Sequence, residues 1–268
     1  MTDLTDYAGT RHAPAEKEAR IISLVPSITE LLFDLDLVGN LVGRTHYCIH
    51  PKPAVESVPS IGGTKKVVLD RVRDLMPSHV IVNVDENTKE QVEAIAKLGP
   101  TIVVTHPIEP EDNLALYRLI GGLFAREKQA AILVEDFKAA LIALRSVVES
   151  LSQRDVLYLI WKEPWMTVSR DTYISQFLAL AGWSTLCHDV SHRYPQIDIT
   201  SDLLKRTDLV FFPSEPYAFT QTDIDEFRAA YPCGDALLVP IDGEMTSWYG
   251  SRAIKGLKYL RQLAEDVI

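Results

Sequence analysis

His46, Cys48 and His50 alternate along Arg44-Thr45-His46-Tyr47-Cys48-Ile49-His50-Pro51. In an extended segment side chains two apart point to the same side, so the three would face one ion, and imidazole with thiolate suits zinc or another transition metal. H-x-C-x-H is not an established finger spacing, and a fourth ligand such as Glu86 has to come from elsewhere in the chain. Gly62-Gly63-Thr64-Lys65-Lys66 lacks the G-x-x-x-x-G-K-[ST] order of a phosphate loop and reads as a cleft loop carrying cations. No G-x-G-x-x-G follows a strand and no G-x-S-x-G elbow occurs, which removes the usual dinucleotide and serine-hydrolase readings. No pair of carboxylates, histidines or thiols has a spacing that assigns acid, base or nucleophile, so no residue is named as catalytic.

The elements that must position these residues alternate in type. Ile21 to Val25 is a short apolar run suited to a strand buried on both faces. Pro26 stops it, and Ser27 with Glu30 forms a capping-box pattern ahead of Leu31, Leu32, Leu35 and Leu37. Strands at Leu41 to Arg44, Val80 to Val84 and Thr101 to Thr105 alternate with helices at Leu69 to Met76 and Thr88 to Leu98. Such alternation implies βαβ units and a parallel sheet. From Arg126 to Ser152 there is no Pro or Gly, and Leu133, Phe137, Leu141, Leu144, Val148 and Leu151 recur at helical spacing. That predicts one helix of roughly 40 Å, long enough to run past two lobes or to serve as the core helix of one larger domain. A second series follows: strands at Asp155 to Trp161, Leu209 to Phe212 and Ala236 to Val239, with helices at Thr172 to Ala181, Asp223 to Ala230 and Arg252 to Ala264. The expected fold is α/β, two α/β lobes with central mostly parallel sheets joined by one long backbone helix. Residues 1–19 form a flexible arm, 20–124 the N-terminal lobe, 125–153 the connecting helix and 154–268 the C-terminal lobe.

Ligands of parallel α/β sheets bind beyond the carboxyl ends of the strands. Those positions carry Tyr47, then Asp85, Glu86 and Asn87, then Trp161, Lys162 and Trp165, then Glu215 and Tyr217, then Asp242, Glu244, Trp248 and Tyr249. Three of the four tryptophans fall in these loops, where exposed aromatic surface is costly unless something covers it. A broad, flat, partly apolar ligand would do so; packing of Trp161, Trp165 and Trp248 against one another is the alternative.

Of the 268 residues, 47% are apolar, enough to bury a sizeable core, and the net charge of −10 opposes polyanion binding, so no nucleic-acid partner is expected. Cys48, Cys187 and Cys233 are odd in number and widely spaced, which reads as reduced thiols rather than a disulfide framework. The first twenty residues hold no apolar run of signal-peptide length, and no stretch is long and apolar enough to span a membrane.

Ile22-Ser23-Leu24-Val25-Pro26-Ser27 with Thr29-Glu30-Leu31, Val42-Gly43, and Tyr47 ahead of Pro51 open a pattern that continues through Leu69-Asp70-Arg71-Val72 and Met76-Pro77-Ser78-His79-Val80-Ile81. Leu178 through Ala181-Gly182 and Arg193-Tyr194-Pro195-Gln196 extend it into the second lobe. In order and spacing, over about residues 20 to 266, this resembles the helical-backbone solute-binding proteins that serve ABC transporters for cobalamin and ferric siderophores. The resemblance implies capture of a bulky metal-bearing ligand between the lobes with little hinge motion, an aromatic contact at Tyr47, and docking of a membrane transporter subunit through Asp70 and Asp202. Each of these acids is one methylene shorter than the glutamate usual there.

The leading expectation is a non-enzymatic solute-binding protein whose cleft is lined by Tyr47, Trp161, Trp165, Tyr217, Trp248 and Tyr249. Lys65, Glu86, Arg193 and Glu215 would orient polar groups of a cobalamin or ferric chelate. The alternative is a cytoplasmic metal-dependent enzyme or metal-binding protein on the same fold, with His46, Cys48, His50 and Glu86 around a transition metal ion. As written, without an export signal, the chain reads as cytoplasmic; with such a signal it would be periplasmic.

Overall fold

The structure, a computed structural model, describes residues 3–16, 18–186 and 191–266. The chain divides into two compact units. One comprises Met1–Pro107, Glu111–Phe137 and Tyr249–Arg252; the other comprises Ile108–Pro110, Lys138–Trp248 and Ala253–Ile268.

In the first unit β1 (Ile21–Ser23) leads into α1 (Pro26–Asp34). Then come β2 (Leu41–Arg44), α2 (Leu69–Asp74), β3 (His79–Asn83), α3 (Lys89–Ala96), β4 (Thr101–Thr105) and α4 (Asp112–Leu123). The four strands are parallel in the order β2-β1-β3-β4. Ile22, Leu24, Val80 and Val82 are buried with Val72 of α2 and Ile95 of α3, the coverage a parallel sheet requires because its crossovers pack onto its faces. α1 begins at Pro26 with Val25 as its cap and no side-chain cap bond, so the expected Ser27–Glu30 capping box is not made. Glu30 is buried and its carboxylate takes both Arg252 Nε at 2.6 Å and Nη2 at 3.1 Å, a charge-assisted pair stronger than a backbone cap.

The expected flexible arm is folded against the sheet. Val104 lies on the open edge of β4. Its N–H donates to Asp6 Oδ2 at 3.0 Å, and its carbonyl accepts from the Tyr7 N–H at 3.0 Å. Leu4, Asp6 and His12 are buried. An edge strand offers unpaired backbone groups, and this polar segment satisfies two of them, which its weak hydrophobic periodicity does not reveal.

α4 is absent from the sequence expectation because Pro107 and Pro110 precede it and Gly121-Gly122 lie inside it. Gly121 has a packing reason: a Cβ there would stand 2.5 Å from the Ala130 Cβ of α5 (Glu127–Val148). α5 spans 22 residues, about 33 Å, and the boundary between the units falls within it, after Phe137. It stops short of the expected Ser152. Ser150 turns back with its N–H and its Oγ both on the Val147 carbonyl, a local bond that competes with continued helix.

The second unit contains β5 (Arg154–Trp161), β6 (Met166–Thr167), α6 (Tyr173–Ala179), β7 (Trp183–Thr185), α7 (Ser201–Leu204) and β8 (Leu209–Pro213). These are followed by α8 (Gln221–Ala230), β9 (Leu237–Ile241), α9 (Gly243–Ser247) and α10 (Arg252–Asp266), whose first residue still belongs to the first unit. β7, β8 and β9 join β5 in a parallel array, while β6 pairs antiparallel with the end of β5. Leu157, Leu159, Val210, Phe212, Ile224 and Phe227 form a buried cluster of this unit. Cys48 is buried and Cys233 partly exposed, both free thiols, and Cys187 lies outside the described residues. Among the described residues no helix is long and apolar enough to cross a membrane.

Candidate functional site

The carboxyl ends of the first unit's strands present the segment after β2 in a form the alternation argument did not anticipate. Thr45 to Cys48 is a turn, with the Cys48 N–H on the Thr45 carbonyl at 3.2 Å and Thr45 Oγ1 beside Cys48 Sγ at 3.2 Å. Two-residue periodicity holds only in extended backbone. The turn therefore leaves His46 exposed, buries Cys48 completely, and leaves His50 half-buried. Burial pushes the Cys48 thiol up, against the opposing hydrogen bonds of Thr29 and Thr45, away from the thiolate a metal needs. His46, Cys48 and His50 do not converge, and among the described residues no group of three or more His, Cys, Asp or Glu is placed to hold a metal.

What the turn does present is Tyr47, 56% exposed, its ring 4.1 Å from that of His46. Gly63 lies beneath both: a Cβ there would stand 3.1 Å from His46 Cε1 and 3.5 Å from Tyr47 Cε2. The Gly62-to-Val67 loop closes on itself through an antiparallel bridge and a bond from the Gly63 N–H to the Lys66 carbonyl. Gln91 Nε2 donates to the Lys65 carbonyl at 2.6 Å and Asn87 Nδ2 to the Thr64 carbonyl at 2.9 Å. The loop's backbone is thereby fixed, while the Lys65 side chain is exposed.

Glu86 follows β3 and is half-buried, and the hydroxyl of Tyr249 donates to its Oε1 at 2.9 Å. Tyr249 is only 7% exposed and opens a four-residue return, Tyr249–Arg252, that belongs to the first unit although Trp248 before it and Ala253 after it belong to the second. Three further contacts fasten this short return. The Gly250 N–H donates to Asn113 Oδ1, Tyr117 donates its hydroxyl to the Gly250 carbonyl, and Arg252 pairs with Glu30. Gly250 has φ of +75°, and a Cβ there would meet the Ser27 carbonyl at 3.0 Å, so this close approach requires glycine. Burial and the neighbouring Glu86 hold the Tyr249 phenol well above its ordinary range. As a buried donor, Tyr249 is not the cleft-stacking aromatic expected from sequence.

In the second unit the tryptophans separate into different roles. Trp161, at the end of β5, is 43% exposed and packs edge-on against Tyr217 at 5.5 Å. Tyr217 in turn rests on Phe219, and Lys162 beside it bridges Asp223 at 2.8 Å and Glu226 at 2.6 Å. The Lys162 hydrogen bond, ahead of burial that opposes it, brings Asp223 down to about 2. Trp165 is half-buried against the unit's core, stacked on Phe219 and edge-on to Phe227, with Nε1 donating to the Tyr231 hydroxyl at 3.1 Å. Trp248 is 9% exposed and donates Nε1 to Glu215 Oε1 at 2.6 Å, which Ser247 Oγ also approaches. Burial pushes the Glu215 carboxyl up, while the Trp248 and Ser247 bonds oppose the shift. Gly243 lets the α9 turn close over it, since a Cβ would stand 2.8 Å from the Glu215 backbone nitrogen. Trp165 and Trp248 are therefore packing residues, and they do not pack against one another as the alternative reading supposed. Arg193 is half-buried near Asp171, with its guanidinium over the Tyr194 ring at 5.9 Å.

A family model described as periplasmic binding protein matches residues 21–229, which include the first unit's sheet and β5 to β8 of the second. The chain belongs to the periplasmic binding protein family. It is 21% identical over 254 residues to a vitamin B12-binding protein of Yersinia pestis (strain Pestoides F), covering 95% of this chain and 88% of that one. Its fold is similar to that of the periplasmic vitamin B12 binding protein of Vibrio cholerae, with TM-score 0.79, 19% identity, and 92% and 97% of the two chains covered. It is also similar to a periplasmic heme-binding protein from Roseiflexus sp. RS-1, with TM-score 0.78, 18% identity, and 93% and 98% covered.

In this member of the periplasmic binding protein family, Asp70 lies in the first turn of α2 and Asp202 in that of α7. Both carboxylates are exposed, Asp70 pairing with Arg73 at 2.6 Å and Asp202 with Lys205 at 3.2 Å. Sequence reading placed every one of these loops but not the pairing within them. Glu86 with Tyr249 and Glu215 with Trp248 are donor and acceptor to each other, contacts separated by 163 and 33 residues.

Proposed function

We propose that this protein is a non-enzymatic solute-binding protein that captures a bulky metal-bearing ligand, of the cobalamin or ferric siderophore class, and delivers it to an ABC transporter. The observation that carries the reading is Tyr47, a half-exposed aromatic fixed by a turn and a glycine-bearing loop at the carboxyl end of β2, in a chain of the periplasmic binding protein family. Trp161, at the end of β5, is an exposed aromatic of the second unit. Aromatic faces held in water contribute affinity when a flat ligand covers them, by about 1 kcal/mol each, or roughly fivefold. Lys65, Glu86 and Arg193 orient polar groups, and Asp70 and Asp202 face the transporter. A role in uptake places the protein outside the cytoplasm, where the Vibrio cholerae relative is named as working.

Titration with cyanocobalamin, ferric hydroxamate and catecholate chelates, and hemin, followed by tryptophan fluorescence, tests this. Saturable binding of one of them, weakened about fivefold by Tyr47→Ala and by Trp161→Ala, is the expected result. Indifference of the wild-type protein to every ligand of the panel would refute it.

A further inference from the structure

We propose that the N-terminal segment is part of the ligand site, with Tyr7, backed by His106 and Asp85, contacting a broad macrocycle that carries hydrogen-bond donors at this end, as the amide-bearing corrinoids do. This rests on the binding function proposed above and names a contact that the strands alone do not supply.

Tyr7 is held rigidly. The Asp6 carboxylate is buried and accepts from the Thr10 N–H at 2.9 Å and the Val104 N–H at 3.0 Å, with His12 Nε2 3.0 Å away. Gly9, at φ of +79°, returns its N–H to the Asp6 carbonyl, and Thr5 bridges to Arg11. At the tip of this closed turn the Tyr7 ring is 55% exposed. One edge of it meets the buried His106 ring at 4.6 Å and an interplanar angle of 77°. A ring anchored so firmly with half its surface in water can receive a flat apolar face at little further ordering cost.

Its position gives the partner. His106 follows β4, and Asp85 follows β3 with its carboxylate 3.8 Å from His106 Nδ1, so Tyr7 stands at the carboxyl ends of the strands, the same edge that carries Tyr47. Strand order β2-β1-β3-β4 sets Tyr47 at one end of that row, and the segment on the free edge of β4 carries Tyr7 one spacing beyond the other, about 19 Å away at the ordinary strand spacing. A single ion does not reach across that distance; a macrocycle with extended substituents does. Asp85 makes the Tyr7 end acidic, which favours amide or hydroxyl donors over carboxylates there.

The test uses cyanocobalamin and the full chain. Tyr7→Ala is expected to weaken binding about fivefold and Tyr7→Phe much less, with an unchanged melting temperature because the anchors are Asp6 and His12. Bound cyanocobalamin is also expected to slow nitration of Tyr7 by tetranitromethane, read by peptide mass spectrometry. Full affinity in Tyr7→Ala together with unprotected Tyr7 would overturn this inference and leave the binding function standing. A wild-type protein that ignores cyanocobalamin overturns it as well, and the binding function falls with it only if ferric chelates and hemin are ignored too.

Discussion

The hydroxyl of Tyr249 lies 2.9 Å from Glu86 Oε1 and donates to it, joining a residue that follows β3 to one near the start of the last helix. Both were candidates for touching ligand; in the folded chain Tyr249 instead fixes the carboxylate that Glu86 presents. Tyr249→Phe keeps the ring and removes the donor, and is expected to lower unfolding free energy in urea by about 2 kcal/mol, the range for a hydrogen bond to a charged group. The phenol's ionisation is raised in the folded state, so its stabilising contribution is complete below the unfolded value of about 10 and is lost as pH rises beyond it. Urea midpoints at pH 8 and pH 11 should show an alkaline loss in the wild type that Tyr249→Phe lacks.

Arg252 and Glu30 form a buried pair with two bonds between them. Arg252→Met strands a buried carboxylate and is expected to cost about 3–5 kcal/mol by chemical denaturation, whereas Arg252→Met with Glu30→Leu should recover much of the loss. Equal losses in the single and double variants would contradict this.

Glu215 gives a second pH dependence with a definite sign. Its carboxyl is raised by burial, so its contribution is complete below the unfolded value near 4.3 and is lost as pH rises through the higher folded value. Glu215→Gln should flatten the decline of melting temperature over that interval. The same variant should not alter acid unfolding at lower pH, where Asp223, held down to about 2 by Lys162, loses its contribution as pH falls from about 4.

Trp161 and Trp165 sit four residues apart and should fail differently. Trp165→Ala removes a ring stacked on Phe219 and edge-on to Phe227 and is expected to destabilise by about 3 kcal/mol, while ligand affinity of the folded fraction is retained. Trp161→Ala, at an exposed position, is expected to leave the melting temperature within a degree or two and to weaken ligand binding. Calorimetric melting alongside fluorescence titration separates the two.

Periodicity and turn residues in the sequence determined the βαβ alternation, the limits of β2 and β4, and the long helix, because backbone geometry imposes these patterns locally. The loops after the strands were equally legible, since parallel topology dictates where a ligand is met. Which way each loop residue faces was not. Cys48 turned inward because Thr45 to Cys48 is a turn, Trp165 and Trp248 were drawn into the second unit by partners in other elements, and the polar N-terminal segment folded because the free edge of β4 needed its hydrogen bonds. Those outcomes depend on groups tens or hundreds of residues away, brought together only when the sheets form, so the tertiary structure alone decided which candidates pack inside and which stay exposed.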